Sequence, residues 1–122
     1  MVPTQIKATG NVVLSDEVRT YISEKLQKLE KFIDSNNTTA LFEVELEELL
    51  KKTGDGYRAE INFSSNGKVL RVEARGETLH AAFDEAVEEA SQRLRRLKSK
   101  HRDLFRQGAA DIKNFFRNFP GF

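Results

Sequence analysis

The chain has 122 residues, enough for one domain with a real core, and it has no cysteine, which excludes disulfides and thiolate chemistry and fits a reducing cytoplasm. Its 20 Lys and Arg nearly balance 19 Asp and Glu, so the net charge of +1 points to no partner, and any nucleic-acid surface must come from where the bases lie. No apolar run reaches the length of a membrane span and no secretory leader opens the chain, so we expect a cytoplasmic protein without membrane contact.

The N-terminal part of the sequence predicts a strand followed by a helix. Residues 4–9 alternate in polarity and are bounded by Gly10, as in a short strand. Ser15 is a candidate N-cap for a helical region that we expect to extend to Asn36. The apolar positions of this region recur at helical spacing and are Val18, Ile22, Leu26, Leu29 and Ile33.

One flank of this first helix combines aromatic and basic side chains. The flank consists of Tyr21, Lys25, Lys28 and Phe32, with Lys31 just beyond. Two interpretations are open. The flank is either a solvated helix edge whose rings complete the core, or an RNA surface on which rings stack and lysines contact phosphates.

Three further segments, residues 40–48, 57–63 and 70–75, alternate between apolar and charged positions. Such alternation predicts strands with one face buried and one face in water, and two amphipathic helices are available to cover the sheet. Asn66 and Gly67 predict a type I′ hairpin, because both central positions of that turn need positive φ. The open face carries charges of both signs and no aromatics, which favours solvated cross-strand pairs over an RNA-stacking platform.

The longest periodic segment, residues 77–106, predicts a second helix with Thr78 as its N-cap. Up to Ala90 it contains acids but no Lys or Arg, whereas the remainder carries Arg93, Arg95, Arg96, Lys98, Lys100, Arg102 and Arg106. Helical spacing places Arg95, Lys98, Arg102 and Arg106 on one flank of the apolar stripe and Arg93, Arg96 and Lys100 on the other. This separation of acids from bases has two interpretations. The charges either complement the helix dipole, or the bases form an anion-binding end of the helix.

The last segment differs in character from the rest. In residues 107–122, Ile112, Phe115, Phe116 and Phe119 recur at helical spacing before Pro120. We favour a short helix docked on the body, with a partner-binding or membrane-touching segment as the alternative, although two bases give little attraction to a membrane. The prediction is therefore a domain over residues 1–106 and a Phe-rich tail over residues 107–122.

No catalytic or metal-binding constellation is evident in the sequence. There is no glycine-rich phosphate loop. His80 and His101 lie on one predicted helix, about 30 Å apart at its rise per residue, so they cannot share a metal. We expect neither an enzyme nor a cofactor, and no small-molecule substrate.

The order strand–helix–three strands–helix, with VRTYISEKLQKLEKF in the first helix and ETLHAAFDEAVEEASQRLRRLKSK in the second, resembles the ribosome hibernation factor family. Its members are also called sigma-factor modulation or ribosome-associated inhibitor proteins, and the resemblance here is to the short form, over residues 4–104. The resemblance implies an α+β fold. In that fold the elements follow the order β-α-β-β-β-α, and both helices pack on one face of a four-stranded sheet to form a two-layer sandwich.

The resemblance also implies a function: binding the mRNA/tRNA channel of the small ribosomal subunit through its rRNA, and idling ribosomes under stress. The family's RNA-facing positions correspond here to Lys25, Lys28, Lys31, Arg96 and Lys100. From charge alone we add Arg93, Arg95, Lys98 and Arg102. Glu89 and Gln92 stand where the family commonly has bases, so the basic patch begins later in this helix.

Two other functions stay open at this point. The first is a general double-stranded-RNA-binding module, whose αβββα order resembles this chain without its first strand. The second is a protein-interaction domain that uses the Phe-rich tail. Preference for free duplex RNA would favour the former, and loss of partner binding on deletion of residues 107–122 would favour the latter.

Overall fold

The computed structural model describes residues 2–33, 38–49 and 56–107, with side chains up to Lys98. The elements are β1 (Thr4–Thr9), α1 (Asp16–Gln27), a 3-10 turn (Glu30–Phe32), β2 (Leu41–Glu48), β3 (Tyr57–Ser65), β4 (Lys68–Gly76) and α2 (Leu79–Gln107). The sheet has the order β1-β2-β3-β4, with β1 and β2 parallel and the other pairs antiparallel. The predicted β-α-β-β-β-α α+β fold is confirmed.

The apolar face of the sheet and both helices bury one common core. Phe42 and Phe63 face each other across β2 and β3, their ring centroids 5.1 Å apart. Ile22 of α1 and Phe83 of α2 belong to the same buried cluster, so both helices lie on this face. The predicted alternation is the cause, because side chains of a strand point to opposite faces in turn.

The hairpin between β3 and β4 has the predicted geometry. Asn66 has φ of 51° and Gly67 has φ of 78°, the two positive values that a type I′ turn requires. The Asn66 N–H donates to the Thr39 hydroxyl over 2.9 Å. The turn is therefore also attached to the segment that precedes β2.

The first helix is shorter than predicted. The Ser15 hydroxyl accepts from the Val18 N–H, which confirms the cap, but α1 ends at Gln27 rather than near Asn36. The chain then tightens: the Leu29 N–H bonds to the Leu26 carbonyl, and Phe32 lies in the 3-10 turn. This tighter winding keeps Leu29 and Phe32 in the core. Lys28 and Lys31 consequently follow the helix and do not lie on its flank.

The second helix begins as predicted and covers β3 and β4. The Thr78 hydroxyl accepts from the Ala81 N–H over 3.0 Å. Gly76 precedes this cap, and a Cβ there would lie 2.8 Å from the Ala82 nitrogen, so the tight entry into α2 needs glycine. No helix in the described segments is long and apolar enough to cross a membrane.

Several sequence predictions fall on parts of the chain that the structure does not describe. The Phe-rich segment over residues 108–122 lies outside the described residues. The α2 backbone is described to Gln107, but the side chains of Lys100, His101, Arg102 and Arg106 are not among those described.

Candidate nucleic-acid interface

The two helices are joined by a cluster of four polar side chains, which we call the interhelical cluster: Tyr21, Lys25, His80 and Asp84. The Tyr21 hydroxyl donates a short hydrogen bond to the Asp84 carboxylate. The Lys25 ammonium lies 3.8 Å from the same carboxylate. The rings of Tyr21 and His80 meet edge to face, with centroids 4.5 Å apart. The cluster thus connects the lysine-bearing flank of α1 directly to the first two turns of α2.

The electrostatics of the cluster centre on Asp84. Its hydrogen bond to Tyr21 raises the pKa of the phenol to about 12, with smaller contributions from burial and from the charge of Asp84. The hydroxyl therefore stays protonated and remains a donor throughout the neutral range. The Lys25 ammonium lies 5.4 Å from the centre of the Tyr21 ring and interacts with both this ring and the Asp84 carboxylate.

A second group of side chains, the α1-end cluster, consists of Lys28, Lys31 and Lys98. The Lys98 ammonium donates to the Lys31 carbonyl over 2.8 Å, so a base of α2 reaches the 3-10 turn after α1. The Lys31 ammonium lies 5.1 Å from the centre of the Phe32 ring. All three lysines are exposed, and within the described part of the chain none forms an ion pair with an acid. Lys98 of α2 therefore lies beside the turn that carries Lys31, and Lys28 precedes Lys31 by three residues.

The other flank of α2 faces away from α1. The Arg93 guanidinium donates to the Arg71 carbonyl of β4 over 2.7 Å, at the edge of the sheet. Arg96 is exposed and shares that flank by helical spacing. The structure therefore brings Lys25, Lys28, Lys31 and Lys98 to the α1 side, but it does not bring Arg93 there.

Arg95 is exposed and lies on the α1 side of α2 by helical spacing, like Lys98. Lys100 and Arg102 belong to α2, but their side chains lie outside the described set. For these residues, as for all the other predicted site residues, the RNA role stays a prediction.

The open face of the sheet is occupied by ion pairs, as its mixed charges predict. The Arg58 side chain is only 15% exposed and lies within 3.1 to 3.5 Å of four carboxylates, those of Glu45, Glu47, Glu60 and Glu73. Its hydrogen-bonding capacity is used within the sheet. Arg58 is therefore not available to a polyanion.

The role of Asp84 was missed by sequence reasoning. Asp84 lies 63 residues from Tyr21, so no local spacing could indicate that the two side chains meet. Its place on the α1 side of α2 is readable from helical spacing, but its partner is not. Among the described residues no three His, Cys, Asp or Glu side chains are grouped so that they could hold a metal ion.

The chain is similar to a known protein family and to relatives from several organisms. Residues 5–102 match the family model described as Sigma 54 modulation protein / S30EA ribosomal protein. The ribosome hibernation promotion factor of Mycobacterium tuberculosis is 37% identical over 94 residues, which are 75% of this chain and 42% of that protein. The ribosome hibernation promoting factor of Klebsiella oxytoca is 28% identical over 104 residues, which are 84% of this chain and 98% of that protein. The chain thus spans less than half of the first relative's length and almost all of the second's.

Two solved structures share the fold. The N-terminal domain of Thermus thermophilus Protein Y superimposes with a TM-score of 0.66 at 27% sequence identity, over 80% of this chain and 99% of that one. A ribosomal subunit interface protein from Coxiella burnetii gives a TM-score of 0.62 at 15% identity, over 80% and 99% of the two chains. At that lower identity the likeness shows the fold alone.

Proposed function

The chain belongs to the Sigma 54 modulation protein / S30EA ribosomal protein family, and on that premise we propose that it binds ribosomes and promotes their hibernation under stress. Two relatives that carry the name of ribosome hibernation factor support this role. The match to the Klebsiella oxytoca protein covers 98% of that protein. We assign ribosome binding to residues 1–106.

The proposed binding site is the mRNA/tRNA channel of the small ribosomal subunit, and the proposed ligand is its rRNA. The observation that supports this proposal is the hydrogen bond from Lys98 to the Lys31 carbonyl, because it brings the basic part of α2 beside the turn that follows α1. Lysines on an RNA-binding surface contact mainly phosphates and 2′-hydroxyls, so they recognise RNA shape more than sequence. A domain wedged in the channel excludes tRNA and mRNA by occupancy, without chemistry.

Within this proposal the predicted residues do not all have the same part. The α1-end cluster supplies the primary phosphate contacts, and Arg95, Lys100 and Arg102 extend the surface along α2. Arg96 contacts RNA from the outer flank. We place Arg93 last, because its guanidinium lies at the edge of β4, away from the α1-end cluster.

The test reverses two charges of the α1-end cluster in a Lys28→Glu/Lys98→Glu variant. We expect co-sedimentation with purified small subunits to be lost at moderate salt, because two phosphate contacts become repulsions. Wild-type binding should weaken steeply with salt, because each phosphate contact makes the slope of log K against log[salt] more negative by about 0.7–0.9.

A matched control carries the same change in net charge on other surfaces, as Lys7→Glu/Arg19→Glu. Lys7 is exposed on β1, and Arg19 is exposed on α1 outside both clusters. The control should still co-sediment, and circular dichroism should show both variants folded. Equal binding by the two folded variants would contradict the assigned surface.

The double-stranded-RNA module is the less favoured alternative, because β1 pairs along its whole length with β2 and completes the sheet. The αβββα order lacks that strand. Stronger binding of wild-type protein to free RNA duplex than to small subunits would reverse this preference.

A further inference from the structure

A carboxylate lies beside Lys25, one of the lysines at the positions that face RNA in the family. Asp84 lies on the α1 side of α2, and its partner Lys25 is among the predicted RNA-binding residues. A phosphate approaching Lys25 meets this negative charge. We propose that Asp84 is a specificity residue that competes with RNA phosphate for Lys25, so that productive contact is directed away from Lys25 and towards the α1-end cluster. This inference rests on the proposed function and deepens it.

Asp84 is held in place more firmly than Lys25. The Tyr21 hydroxyl anchors the Asp84 carboxylate through a short hydrogen bond. The Lys25 ammonium, at 3.8 Å, is farther away than a charge-assisted hydrogen bond of about 2.7–2.9 Å would place it. The side chains of Lys25 and Asp84 are 30% and 46% exposed. Lys25 can therefore move to a competing anion while Tyr21 keeps the carboxylate in place.

The position of Asp84 divides the interhelical surface into two parts. Asp84 and Lys98 lie on the same side of α2, about 21 Å apart at the helical rise. The part near Asp84 carries a fixed negative charge, whereas the part near Lys98 carries three lysines that form no ion pair within the described residues. An RNA backbone that lies along both parts is repelled at one end, whereas one that reaches only the α1-end cluster is not. Like charges brought together in this way discriminate against wrong partners.

The decisive variant is Asp84→Asn, which removes the charge and keeps an oxygen that can accept from Tyr21. We measure binding to purified small ribosomal subunits and to an RNA duplex of about 16 base pairs with unrelated sequence. For the duplex we expect affinity to rise about two- to fivefold, which is the size of effect that an exposed ion pair has on an equilibrium constant. The salt slope should steepen by about 0.7–0.9, because Lys25 gains a phosphate.

Two controls separate competition from a simple change in net charge. Glu88→Gln removes an exposed charge one turn further along α2, where the carboxylate bonds Gln92 and not α1. It should raise duplex affinity less and leave the salt slope unchanged. Adding Lys25→Met to Asp84→Asn should abolish the gain.

The proposal is overturned if Asp84→Asn behaves like Glu88→Gln, if it binds duplex more weakly than wild type, or if its gain persists with Lys25→Met. Because two RNA ligands are measured, the test of Asp84 is independent of the test of the proposed function. Failure of the wild-type protein to bind small subunits rejects the ribosomal role, whereas the duplex measurements decide the competition for Lys25 in either case.

Discussion

At the scale of single residues, Asp84 organises the contact between the two helices. It accepts from Tyr21 and pairs with Lys25, so one carboxylate holds two side chains of α1. The bond to Tyr21 is the stronger of these contacts, because the Lys25 ammonium, at 3.8 Å, lies beyond the distance of a charge-assisted hydrogen bond. The orientation of the tyrosine therefore depends on an acid from the other end of the chain.

The titration of Tyr21 tests this bond directly. The chain has 2 tyrosines and no tryptophan, so in a Tyr57→Phe background the absorbance of phenolate reports Tyr21 alone. We expect the pKa of Tyr21 to lie at about 12 and to fall towards the ordinary 10.0 when Asp84→Asn is added. An unchanged midpoint in the double variant would show that Asp84 is not the cause.

The same shift has a consequence for stability. The folded pKa of Tyr21 lies above the unfolded value, so the unfolded chain releases its proton first as pH rises. The contribution of the bond is complete below the unfolded pKa of about 10. It is lost as pH rises to about 12. Urea midpoints for the Asp84→Asn variant should accordingly depend less on pH across this window than those of the wild type.

At the scale of elements, the hairpin and the ends of the helices determine where side chains are presented. The early end of α1 is followed by a 3-10 turn that winds more tightly than an α-helix, and Lys98 reaches the Lys31 carbonyl of this turn. A continuous helix to Asn36 would have carried Lys28 and Lys31 along its own axis. The α1-end cluster therefore exists because the helix ends at Gln27.

The backbone of the β3–β4 hairpin can be tested with two glycines that differ in φ. Gly67 has φ of +78° and Gly56 does not have positive φ, while a Cβ added at either glycine would meet no neighbouring atom within 4 Å. Gly67→Ala should lower the free energy of unfolding by about 1–2 kcal/mol, the cost of the left-handed conformation for an L residue.

Gly56→Ala is the matched control for this variant. It should leave stability unchanged or raise it by up to about 1 kcal/mol, because alanine restricts the unfolded chain. Urea denaturation measures both changes. Equal losses in the two variants would mean that φ is not the determinant at Gly67.

At the scale of the whole molecule, one core holds the sheet and both helices together. Phe63 is 2% exposed and packs against Phe42, whereas Val69 on β4 is 61% exposed. Phe63→Ala should destabilise the fold by about 3–5 kcal/mol through lost burial and the cavity left behind. Val69→Ala should change stability by no more than about 0.5 kcal/mol, as is usual for surface positions. Similar urea midpoints for the two variants would contradict the placement of the core.

The alternation and helical spacing in the sequence were sufficient to predict the main elements. Period-two patterns identified β2, β3 and β4, and the spacing of Val18, Ile22 and Leu26 identified α1. Asn66-Gly67 and the caps Ser15 and Thr78 were correct because each depends on backbone geometry within a few residues. The end of α1 was misplaced, because an α-helix and a 3-10 turn can bury the same apolar positions.

The sequence by itself determined which faces are apolar, where the turns lie and which segments carry the bases, since these properties repeat over a few residues. Only the tertiary structure decided that Lys98 meets the Lys31 carbonyl, that Asp84 meets Tyr21 and Lys25, and that Arg93 turns to β4. The physical reason is that periodicity describes one element at a time. The partners of a charge are set by which elements the sheet brings side by side, and here they lie 22 to 67 residues apart in the chain.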